Sequence, residues 1–217
     1  MVNYPAFSTT HSTPQPRNNE GYIAQRLVNN TVNLEKIYIS EEGTNLGWII
    51  RIGNSVVAVD AGGSLIKILE RAADNSSDNT VEYYTSGINE GKLMRIGNTY
   101  FQYYTSSGVL QGKIRSIGNL YFQYYNNGSV ENGKIHFIGN IYFRYYNAGV
   151  NGVKIQSIGN VNFTYDNDGR MQRISGSQPG IGIQTRSIEQ WRVLMGVISE
   201  SPGNQLQPFP QFPTNRF

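Results

Sequence analysis

Few side chains in this sequence could carry catalysis. Its 217 residues include two histidines, His11 and His136, and no cysteine, which excludes a thiol nucleophile, a disulfide framework and a cysteine-ligated metal site. Equivalent segments of the chain fill the position of His136 with other residue types, namely Met94, Arg115 and Gln156. A general base needs a fixed partner, and none recurs beside this position. We therefore predict no catalytic residue and no enzymatic activity.

Two short motifs resemble ligand-binding loops without completing them. The run Asp166-Asn167-Asp168-Gly169 begins like a calcium loop, but the later ligands at EF-hand spacing are absent, and these residue types also suit a hairpin turn. The run Gly180-Ile181-Gly182 lacks the third glycine of a dinucleotide-binding loop and has no following Lys-Ser or Lys-Thr. We predict neither a metal site nor a cofactor.

Regularly spaced tyrosines and lysines are the best candidates for binding. Exposed aromatic rings can stack on sugars or bases, and cations can lie over their faces. Alternatively, cross-strand aromatic pairs stabilise a sheet by about 0.2 to 1 kcal/mol each. The two tyrosine rows and the parallel lysine row are Tyr100, Tyr121 and Tyr142; Tyr104, Tyr125 and Tyr146; and Lys92, Lys113, Lys134 and Lys154.

These rows belong to a segment that occurs four times between Gly91 and Asp166. It reads GKLMRIGNTYFQYY, GKIRSIGNLYFQYY, GKIHFIGNIYFRYY and GVKIQSIGNVNFTYD, and its shared isoleucines are spaced by 21, 21 and 20 residues. Each copy has two short runs of Ile, Phe and Tyr around a Gly-Asn pair, which predicts a β-hairpin with a two-residue turn of positive φ angles. Tandem units of this length are typical of repeat proteins.

Strand alternation sorts the side chains of each hairpin onto two faces. With Gly118-Asn119 as the turn, Ile117 pairs with Leu120 and Ser116 pairs with Tyr121. A three-residue turn with a bulge would reverse the faces of one strand. We assign the core face to Ile117, Leu120, Phe122 and Tyr124, with Lys113 and Arg115 at its far end, and the other face to Ile114, Ser116, Tyr121, Gln123 and Tyr125.

The predicted fold class is mostly β: an antiparallel meander of tandem β-hairpin repeats of about 21 residues, in an extended or curved sheet, with a C-terminal capping α-helix. The repeat domain spans residues 34–175, because Ile52-Gly53-Asn54 matches the later turns. Residues Leu65–Leu69 and Val81–Tyr84 are expected to form one further hairpin, whose loop is Ala72–Asn79.

Three segments flank this domain. Residues 1–33 are an N-terminal arm rich in Ser, Thr, Pro and Asn, with a short helix or an extended edge at Gly21–Asn30. Residues 176–201 are a connector and the capping helix, with a capping box at Ser187 and Gln190. Residues 202–217 are a Pro/Phe-rich extended tail. The apolar stripe of the helix comprises Ile188, Trp191, Leu194, Met195 and Ile198.

Net charge and hydropathy limit the partners and the location that we expect for this protein. The net charge is +3, and the Lys and Arg residues are dispersed, so no nucleic-acid partner is expected. The sequence contains neither a signal-peptide pattern nor a run of about twenty apolar residues that could span a membrane. We expect the protein in the cytoplasm or in an assembly built inside the cell.

The last repeat, FTYDNDGRMQRISG, resembles the tyrosine-aspartate (YD) repeats of Rhs-type shell proteins, with Tyr165, Asp166, Gly169, Arg170 and Ile174 on the motif. That resemblance implies a spiralling β-sheet, although the other copies have Tyr-Tyr where the family has Tyr-Asp and the array is too short to enclose cargo. A looser resemblance is to the hairpin repeats of choline- and glucan-binding modules. Those depend on a tryptophan-rich site, and this array has Trp48 alone.

The expected function is that of a non-enzymatic structural or linker protein. Its β-repeat scaffold would dock onto protein subunits of a larger assembly through the arm and the tail. The alternative is a carbohydrate-binding module that uses an exposed tyrosine row to hold a glycan. The candidate interaction residues are Tyr100, Tyr104, Tyr121, Tyr125, Tyr142, Tyr146, Trp191, Phe209, Phe212 and Phe217.

Overall fold

The computed structural model describes residues 31–70 and 80–196, which form two β-sheets and one helix, α1 (Ile188–Leu194). The predicted mostly β fold with a C-terminal helix is confirmed. The strands are β1 (Val32–Ser40), β2 (Asn45–Ile52), β3 (Ser55–Asp60), β4 (Leu65–Glu70), β5 (Val81–Tyr83), β6 (Leu93–Ile96), β7 (Thr99–Tyr103), β8 (Ile114–Ile117), β9 (Leu120–Tyr124), β10 (Ile135–Ile138), β11 (Ile141–Tyr145), β12 (Ile155–Ile158), β13 (Val161–Tyr165), β14 (Met171–Ser175) and β15 (Gly182–Arg186).

The larger sheet contains the four repeats as consecutive hairpins. Its ten strands run from β5 to β14 in chain order, and each neighbouring pair is antiparallel. We number the hairpins β6–β7, β8–β9, β10–β11 and β12–β13 as repeats 1 to 4. The predicted register of the turn is confirmed, because Ile117 pairs with Leu120 and Ser116 with Tyr121.

The two sheets pack against each other over one apolar core. The smaller sheet has the order β15-β1-β2-β3-β4. From it, the fully buried Trp48 ring lies 6.0 Å from the ring of Phe122 and 6.5 Å from that of Phe143 in the larger sheet. Phe101 and Phe163 are the corresponding buried rings of the outer repeats. The repeated phenylalanine therefore belongs to the core that the two sheets share.

Helix α1 covers the opposite face of the smaller sheet. Trp191 is 7% exposed, and its ring lies 5.1 Å from that of Tyr38. Strands β2 and β3 are consequently covered on both faces, which explains their almost continuous apolar sequences. The predicted capping box at Ser187 and Gln190 is present. The predicted stripe is only partly correct, because Ile188 and Leu194 are 42% and 41% exposed and Ile198 lies outside the described residues.

The Gly-Asn turns differ in one respect from the prediction. The turn glycines have φ between 52° and 59°, and Gly53 of the β2–β3 hairpin shares this geometry, which places that hairpin in the same turn class as the repeats. Among the described non-glycine residues, Val153 alone has a positive φ, so the asparagines do not. One positive φ at the first central residue is the pattern of a type II′ turn, where glycine is favoured. The repeat glycines of this class are Gly97, Gly118, Gly139 and Gly159.

A β-bulge before each turn corrects the predicted faces. Between β7 and β8 the register moves from Gln102–Ser116 to Tyr103–Ile114, so Arg115 is the extra residue. The bulge returns Ile114 to the core, where it is 0% exposed, although the sequence placed it on the outer face. The prediction that Arg115 shares the core face is likewise wrong, because Arg115 is exposed. Equivalent bulges occur at Met94, His136 and Gln156.

Two predicted connections are wrong. Strands β4 and β5 do not form a hairpin: β4 is an edge of the smaller sheet and β5 is an edge of the larger one, so the chain passes from sheet to sheet between them. The segment after Ile174 was expected to be a connector before the helix, but it contains β15, which pairs with β1 in parallel. The predicted arm (1–30 of it), the Ala72–Asn79 loop and the tail lie outside the described residues.

Candidate interaction surface

The lysine row contributes to the fold. The ammonium nitrogens lie 4.9 to 5.7 Å from the centroids of buried or half-buried tyrosine rings that belong to the second strand of each repeat. Three of them also donate to backbone carbonyls: Lys92 to Gly112 at 2.9 Å, Lys113 to Gly62 at 2.7 Å, and Lys154 to Gly169. Cation–π contacts at partly buried sites are stabilising. The pairs are Lys92–Tyr103, Lys113–Tyr124, Lys134–Tyr145 and Lys154–Tyr165.

The second tyrosine row links each repeat to the next. Its rings are half-buried, and each hydroxyl donates to the carbonyl of the core phenylalanine two strands further along, at 2.9 to 3.1 Å. Tyr84 starts the series at β5, which extends the row by one residue beyond the prediction. The pairs are Tyr84–Phe101, Tyr104–Phe122, Tyr125–Phe143 and Tyr146–Phe163.

A third set of tyrosines is buried towards the smaller sheet. The hydroxyls of Tyr103 and Tyr145 donate to the carbonyls of Leu93 and Ile135 at 2.9 and 3.1 Å. Burial raises the pKa of both hydroxyls well above the ordinary value, so both stay protonated and remain donors. In repeats 1 and 3, both residues of the Tyr-Tyr motif thus serve as hydrogen-bond donors within the array, whereas the buried Tyr124 hydroxyl of repeat 2 has no partner among the described residues. The sequence showed their spacing but not their acceptors, because the acceptors lie in neighbouring strands.

Two glycine loops of the smaller sheet dock onto the larger one. Gly63, between β3 and β4, accepts from the Ile114 amide at 2.8 Å. Gly43, between β1 and β2, accepts from the Ile155 amide at 2.9 Å. Each of these amides belongs to the residue directly before a bulge residue, where the regular ladder is interrupted. Both glycines have φ of 83° and lie against tyrosine hydroxyls.

The residues of the first predicted tyrosine row lie on the surface of the larger sheet. Tyr100 and Tyr121 are 53% and 57% exposed, and Tyr142 is half-buried. They project from alternate strands β7, β9 and β11 on the face of the larger sheet that points away from the core, so they are spaced by about 10 Å. Exposed Gln102, Gln123 and Arg144 lie on the same strands two residues later. This face, which we call the tyrosine face, presents aromatic and polar groups together.

Repeat 3 adds a denser aromatic cluster to the tyrosine face. The ring of the bulge residue His136 lies 4.1 Å from Tyr125 and 4.9 Å from Tyr142, and Phe137 lies 4.7 Å from Tyr142. The Arg144 guanidinium lies 5.0 Å from the Tyr142 ring. Burial among these rings lowers the pKa of His136. A neutral imidazole that has no carboxylate partner among the described residues suits stacking better than proton transfer.

Sequence reasoning missed an aliphatic row on the loops between strands. One apolar residue occupies the same slot of four successive loops, is 43 to 61% exposed, and repeats at 21, 21 and 20 residues. That spacing was available as a signal, because it equals the spacing of the turn isoleucines. The residues are Ile88, Val109, Val130 and Val150.

The remaining candidate residues separate into two groups. Trp191 was expected on an interaction surface, but it is buried between α1 and the smaller sheet, where it packs in a second apolar cluster. Phe209, Phe212 and Phe217 lie outside the described residues. Within residues 31–70 and 80–196, no three metal-ligating side chains come together, and no helix has the length and apolarity needed to span a membrane.

No family model matches the chain, and no curated protein is significantly similar to it.

Proposed function

We propose that this protein is a non-enzymatic structural protein, a β-repeat scaffold that docks onto protein partners through the part of its predicted arm that precedes β1 (residues 1–31) and through its tail (residues 202–217). The observation that supports this most is the use of the repeat signature within the fold. The lysine and both tyrosines of three successive Lys…Tyr-Tyr units are occupied by contacts within the array, and so are Lys154 and Tyr165 of the fourth copy. Partner recognition then falls to segments that do not repeat.

The layered structure supports a scaffold role for a second reason. Within residues 31–70 and 80–196, the two sheets bury one core between them, and α1 covers the outer face of the smaller sheet. A body of this kind needs no partner to bury its apolar residues. Removing residues 1–19 and 202–217 should therefore leave thermal unfolding unchanged while abolishing association in sedimentation and pull-down assays. Association that persists without both ends would refute the proposal.

A glycan-binding role is the second candidate, and the exposed tyrosine face favours it. Rings spaced by about 10 Å and flanked by glutamines offer stacking surfaces and hydrogen-bonding groups on one plane. A glycan array on the wild-type protein, repeated with Tyr100→Ala, Tyr121→Ala and Tyr142→Ala, tests this role. Retention that the substitutions abolish supports a glycan site, whereas a wild-type protein that retains no glycan excludes it. Removing residues 1–19 and 202–217 leaves the tyrosine face intact, so the two candidate functions can be tested separately.

A further inference from the structure

A cavity lies beside strand β10 of repeat 3, between the two places where loops of the smaller sheet dock onto the larger one. The loops of Gly63 and Gly43 meet the bulges of β8 and β12, which are four strands and about 19 Å apart. Strand β10 lies midway, and Ile135 holds the position of Ile114 and Ile155. In the described part of the chain, no loop carbonyl reaches Ile135. A cavity of about 470 Å³ lies there instead, bordered by both loops.

The charge in this cavity is positive. Among the residues that the structure describes, Lys113 and Lys134 line it and no carboxylate does. Lys113 is bonded to the Gly62 carbonyl, and the Asp60 carboxylate acts on it electrostatically. Lys134 differs from its three counterparts, because among the described residues its ammonium contacts the Tyr145 ring and no carbonyl. An ammonium without an acceptor beside an apolar wall favours an anionic group as its partner.

A buried acceptor lines the same cavity. Asn45 is 9% exposed, and its side-chain oxygen has no hydrogen-bond partner among the described residues. A buried amide oxygen in that situation costs about 1 to 3 kcal/mol unless a donor satisfies it. Val109, Val130 and Val153 complete the wall with apolar surface. The cavity thus combines a cation, a main-chain amide, an acceptor and an apolar surface.

We propose that this cavity binds an organic carboxylate that also carries an N–H group, either the C-terminal residue of a peptide or a free N-acyl amino acid. The carboxylate lies between the Lys134 ammonium and the Ile135 amide, in the role that the carbonyls of Gly43 and Gly63 play at the neighbouring bulges. The N–H of the ligand donates to the Asn45 oxygen. Its apolar side chain packs against the three valines. This site includes neither the arm nor the tail, so it can be tested independently of the proposed function.

The test is a titration of the ¹⁵N-labelled full-length protein followed by NMR. The probes are N-acetylated tripeptides ending in valine, leucine or phenylalanine, each as the free acid and as the amide, and the three N-acetyl amino acids. The free acids should shift the Ile135 amide resonance, and the amides should not. Tripeptides that bind more tightly than the N-acetyl amino acids identify a peptide terminus as the ligand, and equal affinities identify a small carboxylate.

A matched pair of variants separates the site from the fold. Lys134→Met should weaken binding by tenfold or more, because a hydrogen bond to a charged group is lost. Lys92→Met removes the corresponding cation–π contact in repeat 1 together with the hydrogen bond to the Gly112 carbonyl, both outside the cavity, and should leave affinity unchanged. The proposal is overturned if no free acid binds, if acids and amides bind equally, or if Lys134→Met retains wild-type affinity.

Discussion

The Tyr125 hydroxyl donates a hydrogen bond to the Phe143 carbonyl at 3.0 Å, and so connects repeat 2 to the core strand of repeat 3. The same bond joins Tyr104 to Phe122. Because each bond crosses from one repeat to the next, the array is held by nearest-neighbour contacts, as is typical of tandem repeats.

Replacing Tyr125 by Phe should lower the free energy of unfolding by about 1 kcal/mol, because the Phe143 carbonyl loses its side-chain donor while the ring stays in place. Urea denaturation followed by circular dichroism measures this change. Tyr121→Phe is the matched control: its ring is 57% exposed, so its effect should stay within about 0.5 kcal/mol. Equal losses for both variants would contradict the structural role assigned to the second tyrosine row.

The glycine loops should be intolerant of any side chain. A Cβ atom at Gly43 would lie 2.1 Å from the Tyr165 hydroxyl, and one at Gly63 would lie 2.2 Å from the Tyr124 hydroxyl. Gly87 has a similar φ of 79° with nothing within 4 Å, so Gly87→Ala isolates the backbone cost of about 1 to 2 kcal/mol. We expect Gly43→Ala and Gly63→Ala to lower the melting temperature by clearly more than Gly87→Ala does. Three equal shifts would show that docking of the loops adds nothing.

Val153 is expected to lower the stability of the wild-type protein. Its φ is 66°, a left-handed conformation that β-branched residues rarely adopt, and the equivalent slots hold Gly91, Gly112 and Gly133 with φ of 77° to 81°. Val153→Gly should raise the free energy of unfolding by about 1 kcal/mol, because relief of backbone strain exceeds the added entropy of the unfolded chain. Calorimetry measures the gain. Val150→Gly, at another exposed valine of the same loop, should give no gain.

His136 should make the protein sensitive to mild acid. Burial holds its folded-state pKa below the unfolded value of about 6.5, so the unfolded chain binds more protons as the pH falls through that value. The stability linked to the neutral imidazole is full above that pH and is lost as the pH falls towards the folded pKa. His136→Gln, which copies Gln156 of repeat 4, should lose less melting temperature than the wild type between about pH 7.5 and pH 5. Identical losses would remove His136 as the cause.

The sequence by itself determined the local units of this protein. The Gly-Asn pairs predicted the turns, because a positive φ at the first turn position requires glycine, and the turns in turn set the register of Ile117 with Leu120. Alternation then correctly placed Phe122 and Tyr124 in the core and Tyr121 on the surface. The capping box at Ser187 and Gln190 was equally readable, because all of its contacts lie within four residues.

Only the tertiary structure decided which long-range partners complete these units. The bulge that returns Ile114 to the core is stabilised by the Gly63 carbonyl, 51 residues earlier in the chain, and alternation within one strand cannot reveal such a partner. Sheet membership of β4 and β5 and the parallel pairing of β15 are also set by burial against distant strands. The same holds for the candidate surface: equal spacing generated three tyrosine sets, and packing between the sheets left one of them exposed.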